Sequence, residues 1–248
     1  MGQAGRWGDQ CIIVAHYGKA LMDLGDHTGA ESVLRENLAL AERRREAIPL
    51  AFARLYLARL LASAAPLDRL SEPEHLARTV IAANNPVFLG LGHGVLAQLA
   101  VRRSDLATAE VEARMACERV RPFPTYSWDI TALHVQILLA RGRAQEALDA
   151  GEAALERLSR LEVSGYGEID LRLAVAEALG GTGRAEEGRT LLRETLPRLR
   201  RRVDDIPDAE ERARYLTEVP THARLLSLVT EWLGEGTLRE AGLIVQMR

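Results

Sequence analysis

Apolar residues recur every three or four positions along almost the whole chain, and no segment alternates steadily between apolar and polar residues. Spacing of this kind is typical of amphipathic helices, whereas half-buried strands alternate, so the pattern predicts an all-α protein. Aromatic residues make up only 4% of the chain, so Ala and Leu must fill most of the core. These residue types favour closely packed helices over a β-sandwich.

Short turns divide this pattern into pairs of helices, each pair forming a helical hairpin. The hairpins are predicted at residues 10–45, 48–84, 87–120, 127–161, 166–203 and 208–233, with a tail at 234–248. No Gly/Ser-rich linker and no block of like charges divides the hairpins. We therefore expect one elongated domain covering residues 1–248.

Two local details follow from the same pattern. The apolar face of the first helix is predicted to consist of Ile13, Tyr17, Leu21 and Leu24. Ser71 stands before a first turn that carries acidic residues, so it is predicted to be the N-cap of the helix that follows.

A small residue recurs at intervals of roughly 40 residues, shortly after a turn and at the start of the second helix of a hairpin. These residues are Ala30, Ala77, Ala109, Ala147 and Gly188. In four of the hairpins the small residue follows the central Gly or Ser of the turn by five positions. A large side chain there would hold the helices apart, whereas Ala or Gly lets the axes approach to roughly 8–10 Å. The period indicates an array of helical hairpins.

The hairpins resemble the tetratricopeptide repeat, a helix–turn–helix module. The family has a small residue in the first helix, a large apolar residue three positions on, and a small residue opening the second helix. Gly18, Leu21 and Ala30 fit this pattern in the first hairpin. The resemblance implies a right-handed α-solenoid of five to six antiparallel hairpins.

The repeats are longer than the family standard, and in this they are similar to the carboxy-terminal arrays of large bacterial signalling proteins. These include serine/threonine kinases, signal-transduction ATPases and transcription activators. The similarity implies that the chain is a piece of a longer bacterial protein or a descendant that lost its catalytic partner domain.

In the resembled family, ligands lie along a concave groove formed by the first helices of the hairpins. Carried over by spacing, the predicted groove residues are Lys19, Met22, Asp23, Arg59, Gln98, Arg102, Gln136 and Glu177. Polar side chains on these otherwise Ala-rich helices are expected to meet either a ligand or water. Specific recognition and an empty, solvated groove explain them equally well.

The sequence contains no residue pattern that points to catalysis or to a cofactor. The six histidines do not have the spacing of a zinc site, and no nucleophile elbow is present. The glycine-rich segment 89–94 follows no predicted strand and lacks the spacing of a dinucleotide-binding loop, so its glycines are interpreted either as points of close helix contact or as a frayed helix start. We therefore expect no catalytic residue, no metal ligand, no cofactor and no enzymatic activity.

Charge and apolar runs restrict the partners and the location. The net charge of −3 predicts no bulk attraction to nucleic acid or to an anionic membrane. The most apolar stretch, 48–67, is interrupted by Arg54 and Arg59, so no membrane span is expected. Cys11 and Cys117 belong to no paired spacing, which favours a reduced, cytoplasmic protein.

These observations predict a protein–protein interaction or scaffold module that holds a peptide or a protein surface along its groove. The alternative is a sensor in which a small molecule binds the array and controls an attached kinase or DNA-binding domain. The sequence does not identify the partner, and it leaves homo-oligomerisation open.

Overall fold

A computed structural model describes residues 3–161 and 167–243, with side chains from residue 9 onward. This part of the chain contains thirteen α-helices, two short 3₁₀ helices and no strand, which confirms the predicted all-α class. Tyr166, near the predicted start of the fifth hairpin, lies outside the described residues. The α-helices are α1 (Gln3–Asp23), α2 (His27–Arg44), α3 (Ala47–Ala64), α4 (Ser71–Ala82), α5 (Pro86–Arg102), α6 (Leu106–Val120), α7 (Trp128–Ala140), α8 (Ala144–Leu161), α9 (Glu168–Gly181), α10 (Ala185–Asp204), α11 (Ala209–Thr217), α12 (Pro220–Leu233) and α13 (Glu235–Glu240).

The first of two compact units covers Met1–Phe123. Its odd-numbered helices pack in chain order, α1 against α3 and α3 against α5. The even-numbered helices join them: α2 contacts α1 and α3, α4 contacts α3 and α5, and α6 contacts α5. This unit therefore consists of three successive hairpins in which neighbours along the chain are neighbours in space.

The centre of the first unit is α3, which packs against α1, α2, α4 and α5. It is the one helix in the described part of the chain that is long and apolar enough to cross a membrane by length and composition. More than half of that helix, 56% of its residues, is buried. Contact with four other helices accounts for this apolar composition, because a helix that is apolar all round is typical of a core.

The second unit covers Pro124–Arg248. Here α7 and α9 pack against each other, α8 contacts both, and α10 contacts α9. The next long helix, α12, contacts α9, α10, α11 and α13. Trp128, Leu148 and Leu171 are fully buried members of the apolar core that α7, α8 and α9 share.

One hydrogen-bonded turn is repeated at four helix junctions. At the end of α1, Gly25 adopts a φ of 80°, its N–H donates to the Met22 carbonyl, and the Asp26 N–H donates to the Leu21 carbonyl. The same positive φ and the same two bonds recur around Ser104, Gly142 and Gly183. This arrangement is the Schellman motif, which ends a helix and reverses the chain. A turn of fixed length explains the constant five-residue spacing to the next small residue.

The recurring small residues lie inside the units. Ala30, Ala77, Ala109 and Ala147 are each 0% exposed, and Gly188 is buried. Gly18 is buried as well, and a Cβ added there would come 2.6 Å from Leu34 Cγ, closer than real contacts allow. Small residues are therefore needed where these helices cross closely.

The predicted apolar face of α1 is wrong. Ile13 is 67% exposed and Tyr17 is 57% exposed, and the two leucines of that face, Leu21 and Leu24, are only half-buried. The face that packs against the unit instead consists of three small residues, Cys11, Ala15 and Gly18. α1 approaches its neighbours so closely that small side chains fill the contact.

The predicted cap of α4 is also wrong. Ser71 is the first residue of the helix, and Leu70 occupies the N-cap position without a side-chain hydrogen bond. A 3₁₀ helix at Leu67–Arg69 leads directly into α4. The continuous turn brings Ser71 into the helix instead of leaving it in front.

Helix packing in chain order agrees with a repeat protein at the level of each unit. A single domain over residues 1–248, a right-handed solenoid and membership of the tetratricopeptide family stay predictions.

Candidate functional site

Six of the eight predicted groove residues lie in the first unit. They occupy the C-terminal halves of α1, α3 and α5, which pack in that order. All six are half-buried: Lys19, Met22, Asp23, Arg59, Gln98 and Arg102.

Three polar side chains of this set, those of Lys19, Asp23 and Arg102, bind within the protein. Lys19 donates to the carboxylate of Asp23 one turn further along α1. Arg102 Nη1 on α5 donates to the carbonyl oxygen of Ala62 at the end of α3, over 3.0 Å. Arg102 thereby satisfies a helix-terminal carbonyl, which is a structural role.

The other two predicted groove residues line a cleft among α7, α9 and α12 in the second unit. The cleft encloses about 360 Å³. It is lined by Gln136, Leu139, Glu177, Gly180, Gly181, Arg224, Leu228, Glu231 and Trp232. The structure therefore brings Gln136 and Glu177 together, as the predicted groove requires, and adds four residues of α12 that sequence reasoning did not assign. We refer to it as the α7–α9–α12 cleft.

An ion pair joins two walls of the cleft. Arg224 Nε on α12 donates to Glu177 Oε1 on α9 over 2.8 Å. The Glu177 side chain is 19% exposed and that of Arg224 is 49% exposed. An ion pair this open to water adds at most about 1 kcal/mol to stability, so its clearer effect is to orient the two side chains at the cleft.

The end of the cleft is formed by Trp232 resting on glycines. A Cβ added to Gly180 would come 2.5 Å from Trp232 Cη2, and one added to Gly188 would come 2.9 Å from Cζ3. Arg189 Nε donates to the Trp232 carbonyl over 3.2 Å. Trp232 thus packs α12 against α9 and α10, the preceding pair of helices.

The sequence did contain a signal for this docking. Gly180 and Gly181 precede the turn glycine Gly183, and only Gly183 has the positive φ that the turn needs. Gly180 lies inside α9, where a glycine costs about 1 kcal/mol relative to Ala. A glycine inside a helix, at a position where no turn requires it, indicates that another group approaches closely. Here that group is the ring of Trp232.

A second cleft, of about 300 Å³, lies beside the start of α2 in the first unit. Its main polar groups bind one another: Arg35 donates to both oxygens of Glu72, over 2.7 and 3.1 Å, and to Glu31 over 2.8 Å. The hydrogen bond from Arg35 holds the pKa of Glu72 below its ordinary value. Because Arg35, Glu72 and Glu31 already bind one another, the second cleft offers a ligand fewer free polar groups than the first.

A buried carboxylate stands at the start of α9. Glu168 is 2% exposed, and it accepts from Arg172 Nε over 3.1 Å and pairs with Arg198 Nη1 at 2.7 Å. Since Arg198 lies on α10, the carboxylate ties the beginning of α9 to the later part of α10. The basic residues around position 200 therefore have a structural partner that the charge pattern alone did not indicate.

The junction of α11 and α12 contains a buried histidine. His222 Nδ1 donates to the Tyr215 carbonyl over 2.8 Å, and the two rings lie 4.3 Å apart between centroids. Burial lowers the pKa of His222 below its ordinary value; the hydrogen bond to Tyr215 and the nearby Asp170 oppose that shift, and Arg202 reinforces it.

The glycine-rich segment 89–94 lies inside α5 and forms helix contacts. A Cβ added to Gly90 would come 2.6 Å from Val120 on α6, and one added to Gly92 would come 2.7 Å from Ile81 on α4. This confirms the interpretation of these glycines as points of close packing. Within the described part of the chain, no three His, Cys, Asp or Glu side chains are placed to hold a metal ion.

Comparison with known proteins gives no family for the chain. No protein-family model matches it, and no curated protein matches it. The fold and the cleft define an all-α protein in which helices that are neighbours along the chain pack together within each unit, with a surface cleft among α7, α9 and α12 of the second unit.

Proposed function

We propose that this protein is a non-catalytic interaction module that holds a segment of a partner protein or peptide in the α7–α9–α12 cleft. The observation that carries the proposal is the composition of the cleft. Leu139 and Trp232, both half-buried, supply apolar surface beside the buried Leu228, and Gln136 and Glu231 are exposed polar side chains of the same lining. An apolar base with a few polar groups is the usual composition of a binding site.

The size of the cleft limits what it holds. A volume of about 360 Å³ is close to the lower end of the range for ligand sites. It suits one or two side chains of a partner rather than a whole protein surface. Buried anchors of this kind carry most of the energy of an interface, while the contacts around them exclude water.

The expectations from the sequence about family, location and parent protein belong to the same proposal. The module would be of the tetratricopeptide type, would act in the cytoplasm and would belong to a bacterial signalling protein. Two of the three helices of the cleft, α7 and α9, are the first helices of successive predicted hairpins, which supports recognition by such helices, whereas α12 is the second helix of its hairpin.

A displayed library of random peptides tests this function. Peptides selected on the parent protein are measured by calorimetry against a variant in which Gln136→Arg and Glu231→Arg place two long side chains at the rim of the cleft. Both positions are exposed, so folding should be retained. Glu210→Arg, which makes the same Glu-to-Arg change as at residue 231 but at an exposed position of α11 outside the cleft, is the control.

We expect selected peptides to bind the parent and the Glu210→Arg control equally, and to lose affinity for the double variant by about tenfold or more. Failure to enrich any peptide, or equal affinity for all three proteins, would overturn the assignment of the cleft.

A small-molecule sensor is the second candidate. The cleft volume favours it, since about 360 Å³ also accommodates a metabolite. A metabolite screen by thermal shift tests it: a ligand at 100 times its dissociation constant stabilises the folded state by about 2.7 kcal/mol. The shift should disappear in the double variant, and a screen without a cleft-dependent hit would reject the sensor.

A further inference from the structure

The charges of the α7–α9–α12 cleft are unequal. Its ionisable lining consists of two carboxylates, Glu177 and Glu231, and one guanidinium, Arg224. Gln136 adds an amide carbonyl at the rim. The lining therefore has a formal charge of −1. Its carboxylates accept hydrogen bonds, and an anionic ligand, which also accepts, could not bond to them.

The single cation of the cleft is already engaged. Arg224 Nε donates to Glu177 Oε1, over 2.8 Å. A carboxylate offers about four lone-pair sites on its two oxygens, so Glu177 keeps acceptor capacity beyond this bond. An anionic ligand would have to compete with Glu177 for Arg224 and would meet the carboxylate of Glu231. A cationic ligand would pair with Glu231 and share Glu177 with Arg224, which is the one like charge of the lining.

The position of the carboxylates strengthens this preference. The Glu177 side chain is only 19% exposed, so its attraction for a charge inside the cleft is screened less than at an open surface. Trp232 lines the same cleft, and aromatic rings attract guanidinium and ammonium groups within about 6 Å of the ring centroid. The alkyl stem of Arg or Lys can at the same time cover the half-buried Leu139.

We infer that the occupant of the α7–α9–α12 cleft is an arginine or lysine side chain of the bound segment, received by Glu177 and Glu231 beside Trp232. This inference rests on the proposed function, because it names the chemistry of the segment that the cleft holds.

Four capped tripeptides that differ in the central residue test the inference. The central residues are arginine, lysine, glutamate and citrulline, and citrulline has nearly the shape of arginine without its charge. Binding is followed on the full chain through the indole N–H resonance of Trp232, assigned with Trp232→Phe. We expect the arginine and lysine peptides to shift this resonance in the millimolar range, more weakly as sodium chloride is added. We expect the glutamate and citrulline peptides to leave it in place.

Neutralising a single carboxylate identifies the charge that is recognised. Glu231→Gln should weaken binding of the arginine peptide about twofold to fivefold, as expected for one partly exposed ion pair. Glu210→Gln removes the same charge from α11, outside the cleft, and should leave the affinity unchanged.

Three results would overturn the inference: no shift of Trp232 with the arginine peptide, equal binding of the arginine and citrulline peptides, or binding of the glutamate peptide in the cleft. The peptide library separates this failure from failure of the proposed function. Selected peptides that need the cleft but contain no cation would leave the proposed function standing, whereas selected peptides that ignore the cleft would remove it.

Discussion

Trp232 on α12 packs so closely on Gly180 of α9 that a Cβ at residue 180 would come 2.5 Å from Cη2 of the ring. Gly188 on α10 receives another edge of the same ring. The helix that completes the α7–α9–α12 cleft is therefore docked through two positions where a side chain is absent. Packing of α12 and the shape of the cleft depend on the same contact.

Gly180→Ala should destabilise the second unit. The added methyl group collides with the Trp232 ring, and overpacking of this kind costs about 1–3 kcal/mol. A gain of about 1 kcal/mol in helix propensity offsets part of that cost. Urea unfolding followed by circular dichroism measures the net loss.

A second variant identifies the ring as the cause. With Trp232→Leu in place, Gly180→Ala should cost less, because the bulky partner is gone. Gly236→Ala is the control, since a Cβ there meets nothing within 4 Å. Additive effects of Gly180→Ala and Trp232→Leu would contradict direct contact between the two positions.

The turns and the small residues were predictable from sequence because both follow from short-range rules. A glycine that ends a helix and an Ala five residues later belong to one local unit, and its geometry does not depend on the rest of the protein. The segment 89–94 was predictable for a similar reason, since several glycines on a helix indicate close neighbours.

The face of α1 and the role of α12 were not predictable in the same way. The large apolar residues Ile13 and Tyr17 suggested a buried face, but Leu34 approaches the backbone at Gly18 so closely that α1 packs through its small residues. Arg224, Glu231 and Trp232 reach the cleft only because α12 returns to α9, a contact between segments about 50 residues apart. Gly180 indicates that some group approaches α9 closely, but no local pattern specifies that this group belongs to α12.

Ala109→Arg should strongly destabilise the first unit. Ala109 is 0% exposed at the start of α6, where that helix packs against α5, and an arginine side chain cannot fit without moving the helices apart. A cost of several kcal/mol is expected. Thermal unfolding by calorimetry tests it. Ala107→Arg is the control, because residue 107 is exposed two positions earlier on the same helix and should melt like the parent.

Ser104→Gly should stabilise the protein. Ser104 adopts a φ of 60° in the turn between α5 and α6, and a non-glycine residue in that region costs about 1–2 kcal/mol. The other three turns of this type place Gly25, Gly142 and Gly183 at the equivalent position. The midpoint of urea unfolding should rise by an amount equivalent to about 1 kcal/mol.

The reverse change provides the comparison. Gly183→Ala should cost about 1 kcal/mol, and because a Cβ there meets nothing within 4 Å, that cost comes from the backbone alone. Equal stability of Ser104→Gly and the parent would show that hydrogen bonding by Ser104 compensates for its backbone conformation.

Glu168→Gln should destabilise the α9–α10 pair by about 2–3 kcal/mol, because the substitution leaves Arg172 and Arg198 without their buried counter-charge. Denaturant unfolding gives the value. Glu156→Gln removes a charge from an ion pair in which Glu156 is 63% exposed and Arg160 is 72% exposed, and it should cost at most about 0.5 kcal/mol. A similar loss of stability in both variants would mean that burial does not determine how much the ion pairs of Glu168 stabilise the protein.

His222 should make stability depend on pH in the weakly acidic range. Its folded-state pKa is lowered from 6.5 by burial, so the unfolded chain takes up the proton more readily than the folded one. The contribution of His222 to stability is therefore fully present above pH 6.5 and is lost as pH falls from there to the lower folded-state pKa. Within that window the free energy of unfolding should fall by up to about 1.4 kcal/mol for each pH unit. The measurement is urea unfolding between about pH 7.5 and 5.5.

His222→Asn assigns this dependence to one side chain. The asparagine amide can still donate to the Tyr215 carbonyl, but it does not titrate, so the slope below pH 6.5 should become shallower even if the variant is less stable overall. His75→Asn changes an exposed histidine on α4 and should leave the slope unchanged.

Since α12 carries His222 near its start and Trp232 near its end, acid should also loosen the helix that forms one wall of the cleft. The Trp232 indole resonance should then broaden or shift below pH 6.5 in the parent but not in His222→Asn, and identical behaviour of the two proteins would separate the histidine from the cleft.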